Sequence, residues 1–174
     1  MIQRASGVAI APMFGHHPAM TYRRAIALIS LVSCMVAIYL ALWKMGFMGG
    51  GLGCGAAKGC EYVQGSRSGW FLGVDVAQIG AVGYAVVVAV AIAGSSAALE
   101  DAVWPTTVLM LLIYSAVLFT LRLKYAEFVI LKSFCPWCAV SAVAITLNAI
   151  LITLDWRRVR AAGSQSAILI NNPT

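Results

Sequence analysis

Apolar residues along this chain fall into four long runs, which short polar or glycine-rich segments separate. The runs cover residues 25–43, 76–93, 103–121 and 134–154. Each run has about the 20 residues that a helix needs to cross the hydrocarbon core of a bilayer. The pattern therefore predicts four membrane-spanning helices, and Pro105 and Pro136 suit the first turns of the third and fourth.

Composition also favours a membrane protein over a soluble domain. Of the 174 residues, 61% are hydrophobic and 10% are charged, and the mean hydropathy is +0.89. A soluble domain of this size has too little interior to bury so much apolar surface. Because no segment outside the runs is long enough for a second domain, we expect one all-α four-helix bundle at residues 25–155, with tails at 1–24 and 156–174.

Four cysteines form two close pairs near the ends of these runs. Cys54 and Cys60 lie in the loop after the first run, and Cys135 and Cys138 lie where the fourth run begins. In a bundle of four spans, the first and third loops lie on the same side of the membrane. All four thiols are therefore expected on one membrane face.

Charge does not decide which face carries the thiols. The 12 Lys and Arg residues divide evenly, with Arg4, Arg23, Arg24, Arg157, Arg158 and Arg160 on the tail side and Lys44, Lys58, Arg67, Arg122, Lys124 and Lys132 opposite. We place the thiols outside and the tails in the cytoplasm because disulfides persist in oxidising compartments. The net charge of +6 is spread over tails and loops, where it suits anionic lipid headgroups and gives no reason to expect nucleic-acid binding.

The position of each thiol suggests its chemistry. Cys135 lies at a helix N-terminus, where free N–H groups and the helix dipole stabilise a thiolate. Cys138 lies one turn further in, closer to the acyl region, where it can meet a lipid-soluble partner. The pair Cys54 and Cys60 spans a glycine-rich loop with Lys58 close by, and a disulfide across so few residues suits a bond that opens and closes.

Two other interpretations of the cysteines stay open at this point. Four cysteines can hold zinc, although one pair begins a membrane helix and no histidine lies nearby in a suitable pattern. Two static structural disulfides are a second alternative, but they leave the position of Cys138 unexplained. Cys34, alone in the first run, is expected to be a small buried hydrophobic residue, and we assign no metal to His16 and His17.

Four motifs in order resemble the vitamin K epoxide reductase family in its bacterial form. They are Cys-x5-Cys in the first loop, "CEYVQGS", "IGAVGY" and the final Cys-Pro-Trp-Cys, and the resemblance covers residues 25–155. Some bacterial members carry a fused thioredoxin-like domain. This chain leaves no room for one, so the resemblance implies a separate soluble partner.

The resemblance implies a path for electrons through the two pairs. Cys54 is expected to exchange disulfide with a soluble, extracytoplasmic thioredoxin-fold thiol oxidase. Cys60 then passes the electrons to Cys135, and Cys138 hands them to a membrane quinone, either ubiquinone or menaquinone. Each transfer between cysteines is the attack of a thiolate on a disulfide sulfur.

The quinone site is expected between the helices, where bundles hold apolar ligands. Ser66 matches the serine that the family places near the quinone, although its hydroxyl could instead form a local hydrogen bond. Tyr84, Phe134 and Trp137 are candidates to flank the quinone ring, whereas Trp70 fits the aromatic belt of the membrane interface at least as well.

Two further positions refine these expectations. Asp75, just before the second run, is interpreted as a helix N-terminal acid rather than a proton donor. The animal members have a tyrosine one turn beyond the second active cysteine, where this chain has Ala142.

We therefore expect a thiol:quinone oxidoreductase of the bacterial inner membrane that supports disulfide formation in exported proteins. The alternative is a non-catalytic or metal-binding membrane partner.

Overall fold

The computed structural model describes residues 18–52, 54, 59–99 and 102–171. Several residues named above lie outside these ranges, namely Arg4, His16, His17 and Lys58. The expectations for them, and for most of the N-terminal tail, therefore concern residues outside the described part of the chain.

Helices make up nearly all of the described chain. They are α1 (Pro18–Lys44), α2 (Gly59–Gly65), α3 (Val76–Ala93), α4 (Val103–Tyr125) and α5 (Pro136–Asn171). Two short antiparallel strands, β1 (Trp70–Phe71) and β2 (Val74–Asp75), form a hairpin before α3. Within the described ranges, four helices are long and apolar enough to cross a membrane, namely α1, α3, α4 and α5. The prediction of an all-α, four-helix membrane bundle is confirmed.

The helix ends differ from the predicted ends where charged residues continue a helix. α3 occupies the predicted residues, but α1 begins at Pro18 and α5 continues to Asn171, so both extend into the predicted tails. α4 runs to Tyr125 and continues as a π-helical turn, Ala126–Ile130. An apolar run ends at the first charged residue, whereas the backbone hydrogen bonds of the helix continue past that residue. The division into a bundle and two tails stays a prediction.

The core of the bundle lies between α1, α3, α4 and α5. α1 packs against α3 and α5, and α4 packs against α5 and α3. Large buried side chains of this core are Ile26, Val87, Leu109, Ile113 and Ile152. Small residues such as Ala37 and Ala91 let the helices approach closely. Cys34 belongs to this core, and its thiol donates a hydrogen bond to the carbonyl oxygen of Ala81 (3.4 Å).

A buried polar cluster around Arg23 joins the helices at the end opposite the cysteines. Nε of Arg23 lies 3.1 Å from Oδ2 of Asp155, and neither side chain is exposed. The guanidinium also donates to the hydroxyl of Thr106 (2.8 Å) and to the carbonyl oxygens of Gly94 and Leu99 (3.0 Å for Leu99). The sequence analysis assigns Arg23 to a tail, whereas the structure buries it within α1.

A second ion pair fastens the hairpin at the cysteine end of the bundle. Nζ of Lys44 lies 2.8 Å from Oδ1 of Asp75 and donates to the carbonyl oxygen of Gly69 (2.9 Å). The same carboxylate oxygen accepts a hydrogen bond from the backbone N–H of Ala77 (3.1 Å), so Asp75 is the N-cap of α3. The interpretation of Asp75 as a helix N-terminal acid is confirmed.

Candidate active site

Cys54 and Cys60 form a disulfide in the loop between α1 and α3. Their Cα atoms are 6.2 Å apart. Cys60 lies in the first turn of α2 and has no solvent exposure, whereas Cys54 is half-buried. One sulfur of this bond therefore faces the protein interior, and the other is accessible from outside.

Cys135 and Cys138 are free thiols at the start of α5. The backbone N–H of Ala139 donates to the carbonyl oxygen of Cys135 (3.0 Å), and the backbone N–H of Cys138 donates to the sulfur of Cys135 (3.4 Å). The Cys135 sulfur therefore acts as the N-cap acceptor of α5, in the place that a serine or aspartate oxygen usually takes. Cys135 is fully buried, and Cys138 is partly exposed.

This position favours the thiolate of Cys135, which lies between two membrane-spanning helices. A hydrogen bond from the Cys138 thiol is the main reason that the pKa of Cys135 falls to about 7 from a usual 9.0. Backbone N–H groups at the helix start contribute in the same direction, whereas burial and the charge of Glu127 oppose the shift. The direction agrees with the expectation from the sequence.

The two cysteine pairs lie against each other. Cys60 and Cys135 belong to one cluster of buried residues, and Cys54 and Cys138 pack against it. Gly59 makes this approach possible, because a β-carbon at that position would clash with the backbone carbonyl of Phe134. The convergence of the four thiols on one face of the bundle is therefore present in the structure.

A cavity of about 490 Å³ opens beside Cys138, between the helices. Its volume lies within the usual range for small-molecule sites. Apolar side chains form most of its wall, among them Val36, Ala37, Leu40, Val87, Leu112, Phe119, Leu123, Val140 and Ile145. Cys135 is not one of its lining residues, so Cys138 is the thiol of this pair that faces the cavity.

A small number of polar groups lie in this apolar wall. Nε2 of Gln64, from α2, lies 3.8 Å from the sulfur of Cys138. The hydroxyls of Tyr84 and Ser141 lie 2.7 Å apart. The indole nitrogen of Trp137, another lining residue, is buried and has no hydrogen-bond partner among the described residues. An apolar site with a few fixed polar groups is typical of ligand pockets.

The structure divides the predicted quinone-binding residues into two groups. Tyr84 and Trp137 line the cavity, whereas Ser66 and Phe134 do not. The hydroxyl of Ser66 donates to the carbonyl oxygen of Val63 (2.7 Å), which is the local hydrogen bond that the sequence analysis left open. The ring of Phe134 is 54% exposed.

Other predicted side chains have local partners. The ring of Phe134 lies near Phe128, with centroids 6.4 Å apart. Trp70 is exposed on the hairpin, and Nζ of Lys44 lies 4.3 Å from its ring centroid. The contact fits the interpretation of Trp70 as a surface aromatic rather than a wall of the cavity.

Among the polar cavity residues that sequence reasoning missed are Gln64, Lys124 and Glu127. Glu127 is the most informative, because it is only 2% exposed and Oε1 accepts a hydrogen bond from the backbone N–H of Cys135 (2.6 Å). A signal was available, since the chain has only six acidic residues and this one lies in an apolar segment close to the thiols.

Metal binding finds no support in the described part of the chain. No group of three or more His, Cys, Asp or Glu side chains there is placed to hold a metal ion. The thiols instead form one disulfide and one adjacent dithiol.

Four membrane-spanning helices, a disulfide, a packed dithiol and a cavity beside it define a membrane thiol–disulfide oxidoreductase. The model of the vitamin K epoxide reductase family matches residues 24–153. The chain therefore belongs to this family, as the motifs in the sequence indicated. No curated protein matches the chain.

Proposed function

We propose that this protein is a thiol:quinone oxidoreductase that reoxidises a soluble thioredoxin-fold thiol oxidase and passes the electrons to a membrane quinone. The observation that carries the proposal is the arrangement of the two cysteine pairs. Cys60 of the loop disulfide packs in one cluster with Cys135, and Cys138 lines the cavity. The four sulfurs thus lead from the outer loop to an apolar site within the bundle.

Thiolate attack on disulfides accounts for the first transfer. The reduced partner opens the disulfide between Cys54 and Cys60 through a mixed disulfide on Cys54, and its second thiol releases it. The Cys60 thiolate then attacks Cys135 in the Cys135–Cys138 disulfide, so that Cys138 leaves as a thiolate. Attack by Cys54 on Cys60 restores the loop disulfide and leaves Cys135 reduced. In the structure, Cys54 and Cys60 (the loop pair) form a disulfide, and Cys135 and Cys138 (the inner pair) are thiols. This combination corresponds to the end of the series of exchanges.

The cavity fits a quinone ring by its size, its apolar wall and its position beside Cys138. A bound quinone would accept two electrons and two protons. Cys138 would supply the sulfur that faces it, while the buried Cys135 thiolate would close the disulfide. Tyr84 and Trp137, together with Gln64, supply polar hydrogens in the wall that suit the carbonyl oxygens of a quinone. Neither Ser66 nor Phe134 lines this cavity.

We place the protein in the bacterial inner membrane, with both cysteine pairs facing the periplasm or the outside. The support is chemical, because a disulfide that turns over with a secreted-protein oxidase belongs in an oxidising compartment. In this proposal, the protein supplies the capacity to form disulfides in exported proteins. Quinone reduction, rather than epoxide reduction, is proposed because Ala142 replaces the tyrosine of animal members.

The proposal is tested by quinone reduction with the purified protein. A reduced thioredoxin-fold oxidase serves as electron donor, and short-chain ubiquinone and menaquinone analogues serve as acceptors. We expect turnover in the wild type and none in Cys138→Ala. Cys34→Ala is the matched control, because Cys34 lies in the bundle core away from both pairs, and it should keep activity. Absence of turnover with either quinone would remove the proposed function and favour a non-catalytic membrane partner with structural disulfides.

A further inference from the structure

Glu127 is a buried acid in the wall of the cavity. It lies in the π-helical turn that follows α4, and only 2% of its side chain is exposed. An acid that is nearly buried in a membrane bundle is costly unless its charge is compensated. Single π-helical turns are common at functional sites.

Both the side chain and the backbone of Glu127 hold the segment that leads into α5. Oε1 accepts a hydrogen bond from the backbone N–H of Cys135 (2.6 Å). The carbonyl oxygen of Glu127 accepts another from the backbone N–H of Ser133 (3.2 Å). These two bonds fix the backbone immediately before the first helical residue, Pro136, and therefore fix where the Cys135 sulfur lies.

Lys124 compensates the charge of this carboxylate. Its Nζ lies 2.6 Å from Oε2 of Glu127, and the two residues are three positions apart, so that they face the same side. Both side chains line the cavity that Cys138 also lines. Lys124 does not fully cancel the charge of Glu127 at the Cys135 thiol. Oε1 of the carboxylate bonds the backbone N–H of Cys135, whereas the ammonium of Lys124 contacts the other oxygen, Oε2.

Among the residues that the structure describes, few other titratable groups surround the Cys135 thiol. On α5 there is Cys138, on the end of α4 and its π-helical turn there are Lys124 and Glu127, and on α1 the cluster contains Tyr39. The loop contributes Cys54 and Cys60, which are joined in the disulfide. The negative charge of Glu127 acts to raise the pKa of Cys135, against the lowering by the Cys138 hydrogen bond.

We propose that Glu127 is a positioning residue for the inner thiol pair, which fixes the backbone of Cys135 and, with Lys124, sets the balance between the dithiol and disulfide forms of Cys135 and Cys138. The inference rests on the proposed relay only in treating this pair as redox-active. A negative charge next to Cys135 disfavours its thiolate and therefore disfavours the reduced pair. It has no such effect on the uncharged disulfide.

The test measures the disulfide:dithiol ratio of this pair in dithiothreitol buffers at pH 5.5 and pH 8, with no quinone and no protein partner. In each equilibrium, two electrons pass from dithiothreitol to the Cys135–Cys138 disulfide. At pH 5.5 both sulfurs also take up a proton, whereas at pH 8 Cys135 stays mainly a thiolate and the second proton goes to the buffer. Acid quenching, alkylation and mass spectrometry of the peptide give the ratio. Glu127→Gln keeps an oxygen acceptor for the Cys135 N–H and removes the charge. Glu61→Gln is the matched control, because Glu61 bonds the backbone N–H of Leu52 beside the other pair.

We expect Glu127→Gln to lower the disulfide:dithiol ratio roughly three- to tenfold at pH 8 and by less than about 1.5-fold at pH 5.5. Lys124→Met should shift it in the opposite direction at pH 8 and provides the test if Glu127→Gln does not fold. Glu61→Gln should match the wild type at both pH values. Equal shifts at the two pH values, or no shift at pH 8, would overturn the proposal. This measurement uses no quinone, so its result can be interpreted even if the protein shows no turnover in the quinone-reduction assay.

Discussion

Arg23 and Asp155 form an ion pair across the bundle from positions 132 residues apart in the chain, and both side chains are completely buried. The pair joins the first and last membrane-spanning helices. Further bonds from the same guanidinium reach Thr106 on α4 and the backbone of the segment between α3 and α4. One side chain therefore links all four membrane-spanning helices at the end of the bundle away from the thiols.

Loss of this guanidinium should destabilise the whole bundle. Arg23→Met leaves the Asp155 carboxylate buried without its main partner, which we expect to cost about 3–5 kcal/mol in the free energy of unfolding. Thermal unfolding in detergent measures the change. Arg157→Met, which alters an exposed arginine on α5, is the control and should unfold near the wild-type temperature. Equal stability of the two variants would mean that the buried pair contributes little.

Contact between the two cysteine pairs should depend on Gly59. Gly59→Ala places a β-carbon against the carbonyl oxygen of Phe134 and should displace α2, which carries Cys60. We expect the rate of electron transfer from the Cys54–Cys60 pair to the Cys135–Cys138 disulfide to fall at least about tenfold, because small displacements disrupt reactive geometry. Stopped-flow mixing with a reduced donor, followed by acid trapping, measures this rate.

The control for this variant is Gly65→Ala at the other end of α2. No atom lies within 4 Å of a β-carbon at that position, so normal transfer is expected. A normal rate in Gly59→Ala as well would show that close packing of α2 against the start of α5 is not required for transfer.

The thiolate of Cys135 should form near neutral pH. Because its pKa is lowered to about 7, the protonated thiol should dominate below pH 7 and the thiolate above it. The difference in ultraviolet thiolate absorbance between the wild type and Cys135→Ala, measured on reduced protein across a pH titration, gives the midpoint. In a Cys138→Ala background, the midpoint should rise towards 9.0, since the main stabilising hydrogen bond is lost. A wild-type midpoint near 9 would contradict the assignment.

The hydroxyl of Tyr84 should affect the quinone step alone. Tyr84→Phe removes the bond to Ser141 in the cavity wall, and we expect the KM for quinone to rise by a factor that corresponds to about 0.5–1.5 kcal/mol. Thiol exchange with the soluble donor should be unchanged. Tyr114→Phe is a matched control, because that hydroxyl also bonds a side chain, Thr153, but lies on the exposed surface of the bundle. The same KM change in both variants would argue against a quinone in this cavity.

Much of the architecture could be predicted because the bilayer imposes a length and a polarity on each span. The limits of α3 and the capping role of Asp75 follow from local sequence, since an apolar run and a capping acid are both short-range features. The approach of the two cysteine pairs follows from topology, because four spans bring the first and third loops to one side.

The partners of buried charges could not be predicted in the same way. Arg23 and Asp155 pair only because α1 and α5 have particular rotations about their axes, and nearly continuous apolar runs contain little information about rotation. Glu127 lies beyond the third apolar run, which ends at residue 121, whereas the backbone there continues as a π-helical turn and directs its carboxylate to Cys135. Ser66 was assigned from its motif position and Phe134 as an aromatic residue beside the cysteines, and neither feature determines side-chain direction.

The complete burial of Cys135 also has a consequence for selectivity. Small thiols dissolved outside the membrane have no direct access to its sulfur, and they meet the half-buried Cys54 first. In the proposed relay, electrons therefore reach Cys135 through Cys54 and Cys60 of the same chain. The burial of Cys135 thus favours exchange with a neighbouring cysteine of its own chain over direct exchange with a dissolved thiol.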